Sequence, residues 1–231
     1  MRFGFDPLYL IMILPALAFT LWAQWKVKSS YSKWSNVPNS RGITGSQAAR
    51  YLLDSNGLNN IQVEQSQGML SDHYDPRAKV LRLSPQVYGV PSVASVGIAA
   101  HEMGHALQDK ENYGALRLRS ALVPVANIGS SFGIWIIIGG LLLQMTPLAW
   151  LGVILFGAGF VFSLITLPVE FDASRRAMRM MDQSGLLAGQ ELAGAKEVLT
   201  SAAWTYIAAA AASLLTLLYW ITRVGGSSRR S

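Results

Sequence analysis

The chain has 231 residues, 51% of them hydrophobic and only 14% charged, against roughly 25% in ordinary soluble domains, and it carries a formal net charge of +6. That balance excludes a simple soluble domain and points to a membrane protein with a modest water-exposed part. Cysteine is absent, which excludes disulfides and thiolate metal ligands and fits a reducing compartment. In such a chain the excess of Lys and Arg marks the cytoplasmic flanks of spans and gives no reason to invoke a nucleic-acid partner.

The first predicted element is a transmembrane helix over 7–25. Asp6 can cap it, Pro7 suits its first turn, and Trp22 and Trp25 stand where an interfacial aromatic belt belongs. Asp6 near its start and the length of its apolar run favour an uncleaved anchor over a signal peptide. Residues 26–120 then form the main extramembrane region. Thr44 or Ser46 opens a helix that Gly57 closes. Ile61–Glu64 and Lys79–Ser84 alternate like strands, with a turn at Asp75-Pro76-Arg77 between them. The expectation is a helix, short antiparallel strands and then a second helix, an α+β arrangement. A sheet edge in such a region can receive an extended peptide by strand addition, and Val80–Leu83 is the candidate strand.

The second helix carries the chemistry. VASVGIAA, Val93 to Ala100, leads into His101-Glu102-Met103-Gly104-His105, which holds two of the chain's three histidines. Residues at i and i+4 project from one helical face, so both imidazoles can meet one ion at about 2.0–2.1 Å. Glu102, turned by about 100° from His101, can sit beside that ion without ligating it and take a proton from the water the ion activates. Two metal ligands and a general base in one helical turn are the core of a zinc hydrolase site. The plainer alternative is a buried helix with two satisfied histidines, but an unpaired glutamate there would be costly.

From Ser120 to Val169 no residue is charged. That is too long for one span of about 20 residues, and it breaks at Gln144-Met145-Thr146-Pro147. We read a transmembrane hairpin over 122–168, with Gly129, Gly133, Gly139, Gly140, Gly152, Gly157 and Gly159 as close-packing contacts. A second water-exposed segment follows over 169–201, then a fourth span over 202–222 and a disordered tail over 223–231. Four spans put 26–120 and 169–201 on one side. Lys26, Lys28, Lys33, Arg117, Arg119, Arg175 and Arg176 are among the basic residues near the membrane there. They outnumber Arg2, Arg223, Arg229 and Arg230 opposite, which places the His pair in the cytoplasm.

A catalytic zinc takes three protein ligands and keeps one position open. Glu170, in Glu170-Phe171-Asp172-Ala173-Ser174, is the leading third ligand, because an acid at the boundary of a span needs a cation. Asp172 then orients a histidine through its other ring nitrogen, although the two acids can exchange roles, and both also suit a helix N-terminus or pairing with Arg175, Arg176 or Arg179. His73 is an alternative third ligand or an oxyanion donor; a solvated loop histidine is the plainer reading of its turn-rich surroundings. Tyr74, Tyr88 and Tyr113 are further possible oxyanion donors.

The run HYDPRAKVLRLSPQVYGVPSVASVGIAAHEMGHALQ, His73 to Gln108, together with LPVEFDAS, Leu167 to Ser174, resembles the YugP-type neutral zinc metallopeptidases of bacterial membranes. The resemblance covers about Tyr31 to Met181, and the layout is more distantly similar to HtpX-type and CAAX-type membrane metalloproteases. It implies His101, His105 and Glu170 as zinc ligands, Glu102 as base, and a bacterial plasma-membrane location. In the distant relatives an acid follows the glutamate ligand by four residues, whereas here the acid is at Asp172 and position 174 is Ser174. The combined expectation is an α-helical membrane protein with about four transmembrane helices and a small α+β zincin-like catalytic domain. It acts as a Zn2+-dependent endopeptidase on peptides or membrane-protein segments within a lipid bilayer. A metal-stabilised scaffold without turnover is the alternative, and Glu102, which a structural site does not need, weighs against it. A transporter is disfavoured by spans that contain no charge.

Overall fold

A computed structural model of the chain describes residues 6–228. In chain order its elements are α1 (Pro7–Ser35), α2 (Gly45–Ser55), β1 (Gln62–Gln65), β2 (His73–Asp75), β3 (Val80–Leu83), α3 (Pro85–Tyr88), α4 (Val93–Lys110), α5 (Gly114–Leu142), α6 (Thr146–Gln183) and α7 (Gly189–Ser228). The protein is mostly helical with one small sheet. Among the described residues four helices, α1, α5, α6 and α7, are long and apolar enough to cross a membrane.

The described residues divide into two compact units, one of 6–23, 117–168 and 205–228, the other of 24–116 and 169–204. The helices are longer than the spans expected within them, because nothing in their sequences stops them at the end of the apolar run. α6 continues through Pro168 to Gln183, so Glu170 and Asp172 lie in mid-helix and not at a helix N-terminus. α7 continues through 223–228, so the start of the expected disordered tail is helical; 229–231 lie outside the described residues, as does Arg2.

In the first unit α5 and α6 form the expected hairpin. The chain turns at Leu143, Gln144 and Met145, with Gln144 at φ 56°, and Pro147 falls in the first turn of α6. Four of the glycines sit where backbones meet. A Cβ on Gly129 would lie 2.2 Å from the Leu155 carbonyl, and one on Gly140 would lie 2.4 Å from the Ala149 nitrogen. Gly133 and Gly152 are equally confined, whereas Gly139 faces open space. On this unit's other elements the Tyr219 hydroxyl donates to Asp6 at 3.0 Å, which ties α7 to the start of α1.

In the second unit helix ends fall where the capping chemistry is. Thr44 and Gln47 form a reciprocal capping box on α2, and the Ser92 hydroxyl accepts from the Ser95 amide at the start of α4. α2 and α4 pack across a core that includes Leu52, Leu53, Val96, Ala100 and Met103. The sheet differs from expectation. Its order is β1-β3-β2, with β1 and β3 parallel and β2 and β3 antiparallel. The cause is the segment between the two anticipated strands. His73–Asp75 is itself extended, and Asp75 Oδ1 accepts from the Arg77 and Ala78 amides, which turns the chain straight back into β3. β3 therefore occupies the middle, with Leu81 and Leu83 fully buried. A central strand has no free edge, so Val80–Leu83 cannot receive a peptide by strand addition.

The neighbouring glycines 139 and 140 offer a matched test of the hairpin. Gly140→Ala is expected to destabilise the detergent-solubilised protein by about 1–3 kcal/mol through backbone overlap. Gly139→Ala should leave the thermal midpoint unchanged or slightly higher; thermal unfolding of the two variants side by side checks this.

Candidate metal centre

α4 and α6 cross closely because Gly104, inside the H-E-x-x-H turn, has no side chain. A Cβ there would stand 2.5 Å from the Ala173 carbonyl oxygen. That contact sets the Glu170–Ser174 stretch of α6 directly over the two histidines. His101 Nε2 lies 3.2 Å from Glu170 Oε2, and His105 Nε2 lies 3.6 Å from the same oxygen. One donor atom from each of His101, His105 and Glu170 lies within 4.8 Å of the others. Ligand atoms at about 2.0–2.1 Å from one tetrahedral ion stand about 3.3 Å apart, so the observed spacing suits a cation of that size. Two imidazole nitrogens and one carboxylate are a donor set that zinc accepts.

The electrostatics point the same way. Glu170 is 2% exposed. Burial pushes its carboxyl up, but hydrogen bonds and charge from His101 and His105 outweigh this and hold it below the usual carboxylate range. Burial pulls the His105 imidazole down, yet Glu170, Glu102 and Gln108 reverse the effect and raise it. A buried acid that stays ionised, beside a buried base that is drawn to hold a proton, makes a site that favours positive charge.

Glu102 is 8% exposed and is not one of the three clustered donors, although its charge is felt by His105. Its Oε2 accepts the backbone N–H of Tyr74 at 3.0 Å. Tyr74 is thus bound to α4 twice, since its hydroxyl donates to Asp109 at 2.6 Å while Lys79 pairs with the same carboxylate. Burial, together with Asp109, raises the Tyr74 phenol. The hydroxyl is therefore committed away from the metal donors, and Tyr74 serves the site through its amide instead.

Each histidine has a partner on its second nitrogen. His101 Nδ1 is 3.1 Å from the Ser174 hydroxyl, one helical turn beyond Glu170. His105 Nδ1 is 3.0 Å from Gln108 Oε1, not from Asp172. Asp172 accepts from Gln108 at 3.0 Å and from Arg176 at 2.6 Å. Burial pushes Asp172 up, but Gln108 and Arg176 prevail and keep it low. The expected direct contact between Asp172 and a histidine is therefore replaced by an intervening amide. The reason is helical phase: position 174, four after Glu170, shares its face, while 172 is turned away by about 200°.

His73 is exposed on the edge strand β2, with Nδ1 2.8 Å from the Ser71 carbonyl, and is not among the clustered donors. Tyr113 lies under the Arg176 guanidinium at 6.0 Å, and Tyr88 borders a cleft with Gln47 and Arg50. Ser174, Gln108, Gly104 and the Tyr74 amide escaped the sequence reading. The first two carried a signal, since each falls three or four residues after a ligand on the same helix.

A family model described as "Putative neutral zinc metallopeptidase" matches residues 9–225. The chain is 46% identical over 214 residues to the "Putative membrane protease YugP" of Bacillus subtilis (strain 168), an alignment that covers 93% of this chain and 95% of that protein. No solved structure matches the chain.

Gly104 generates the sharpest test of this geometry. Gly104→Ala is expected to force α4 and α6 apart, costing about 1–3 kcal/mol. It should lower zinc content well below one per chain in protein that is still folded. Metal analysis alongside thermal unfolding checks both effects.

Proposed function

The chain belongs to the neutral zinc metallopeptidase family, and from that premise we propose that it is a membrane-embedded zinc endopeptidase. The observation that carries this reading is the convergence of His101, His105 and Glu170 on one point, with Glu102 beside them and outside the donor set. His101, His105 and Glu170 would hold Zn2+. Bound there, zinc supplies Lewis acidity that polarises the scissile carbonyl and makes the attacking water acidic near neutral pH.

The protein's own groups do the rest. Glu102 takes the proton of the attacking water and passes it to the departing amine. The Tyr74 amide holds one of its oxygens, so the carboxylate is oriented before substrate arrives. The close Gly104 contact keeps Glu170 against the histidines, and burial of the site keeps bulk water from screening its charges. Glu102 is what separates this reading from a metal-stabilised scaffold, which has no use for a carboxylate held beside the ligands.

The substrates would be peptides or segments of membrane proteins. The excess of Lys and Arg flanking the spans on the side of 26–120 and 169–201 supports a cytoplasmic site, and the bacterial plasma membrane is the location proposed for it. The second unit would be the small zincin-like catalytic domain.

Glu102→Gln is expected to keep about one zinc per chain and to lose peptide hydrolysis by about 10²–10⁴-fold. Purified protein in detergent, assayed against a quenched fluorescent peptide library with metal measured on the same sample, provides the check. Undiminished hydrolysis with metal retained would contradict the assignment of the base.

A further inference from the structure

We infer that Gln108 is a positioning residue that dictates which nitrogen of His105 faces the metal and couples that histidine to Asp172. The inference rests on the metal site proposed above. Gln108 is fully buried at 0% exposure, an unusual place for an amide unless every polar atom is used. Its Nε2 donates to the Val169 carbonyl at 2.8 Å and to Asp172 Oδ2 at 3.0 Å. Its Oε1 faces His105 Nδ1 at 3.0 Å.

The orientation of this amide follows from its partners. A carbonyl oxygen can only accept, and the Asp172 carboxylate, also paired with Arg176 Nε at 2.6 Å, accepts too. Rotating the amide by half a turn would set its oxygen against two acceptors, the Val169 carbonyl and the Asp172 carboxylate, which is disfavoured. Oε1 must therefore face His105, and it requires a donor there. Nδ1 carries the hydrogen in both the neutral and the protonated ring, so in the neutral ring the lone pair is on Nε2. That nitrogen is the one 3.6 Å from Glu170 Oε2. The directed chain continues outward, since Arg176 also pairs with Glu111 at 2.7 Å.

His101 is held differently. Its Nδ1 meets the neutral Ser174 hydroxyl. His105 is thus the ligand tied to a charged network, and it is tied through an amide that moves no proton. Hydrogen bonds of this kind typically alter metal affinity by about 10–100-fold when removed.

The test uses the full-length chain in detergent, stripped of metal and titrated with Co2+, read by the visible absorption of the bound ion. Gln108→Leu is expected to weaken Co2+ binding by about 10–100-fold and to alter the absorption bands. Gln108→Glu, which keeps an acceptor toward His105 but aims a carboxylate at Asp172, should weaken binding as well. A folded Gln108→Leu protein with wild-type affinity and bands would overturn the inference, whatever its thermal midpoint, because packing alone would move only the midpoint. If Gln108→Leu does not fold, wild-type affinity and bands in a folded Gln108→Glu protein would overturn it. Either result leaves the three-donor site standing, whereas no Co2+ binding by the wild type would remove both.

Discussion

A carboxylate as deeply buried as that of Glu170 costs several kcal/mol unless charge and donors surround it, and the second unit is organised around meeting that cost. Two imidazoles face it from one turn of α4. Their orientation is secured in turn by Ser174 and Gln108, and Gln108 by Asp172 and Arg176. All of this requires α4 and α6 to approach until Gly104 touches the Ala173 backbone. The helix crossing and the buried acid are therefore one constraint. With α4 and α6 apart, the acid would lack its partners; without the acid, the crossing would bury two histidines facing nothing.

The sheet belongs to the same arrangement. β3 is central and buried, and β2 is the edge strand that reaches α4 through the Tyr74 amide and hydroxyl. An edge amide committed to a carboxylate is unavailable for pairing with another strand, which also blunts that edge. The strand thus contributes to the site by orienting Glu102.

What was legible in the sequence is what depends on helical pitch and hydropathy. The i, i+4 spacing of His101 and His105 places two nitrogens together whatever the surroundings, and Glu170 stands out as the first charge after fifty uncharged positions, 120–169. The apolar runs gave four candidate spans, and the paired glycines marked where α5 meets α6. Sheet pairing was not legible, because parallel or antiparallel pairing is decided by the connection, and the three-residue β2 looked like part of a turn. Nor were the partners of the histidines. Asp172 attracts attention by its charge, but the residues that touch the rings are a neutral amide and a neutral hydroxyl at the correct helical phase. The end of α7 is hidden for a related reason: Gly225, Gly226 and the serines after them suggest a tail, while the helix continues through Ser228.

The central claim, that His101, His105 and Glu170 together hold one metal ion, is tested most directly by the zinc content of detergent-purified wild type beside Glu170→Ala from the same preparation. The account predicts about one zinc per chain in the wild type and clear loss in the variant. Zinc unchanged in a folded Glu170→Ala protein, or none in the wild type after zinc is supplied, would contradict it.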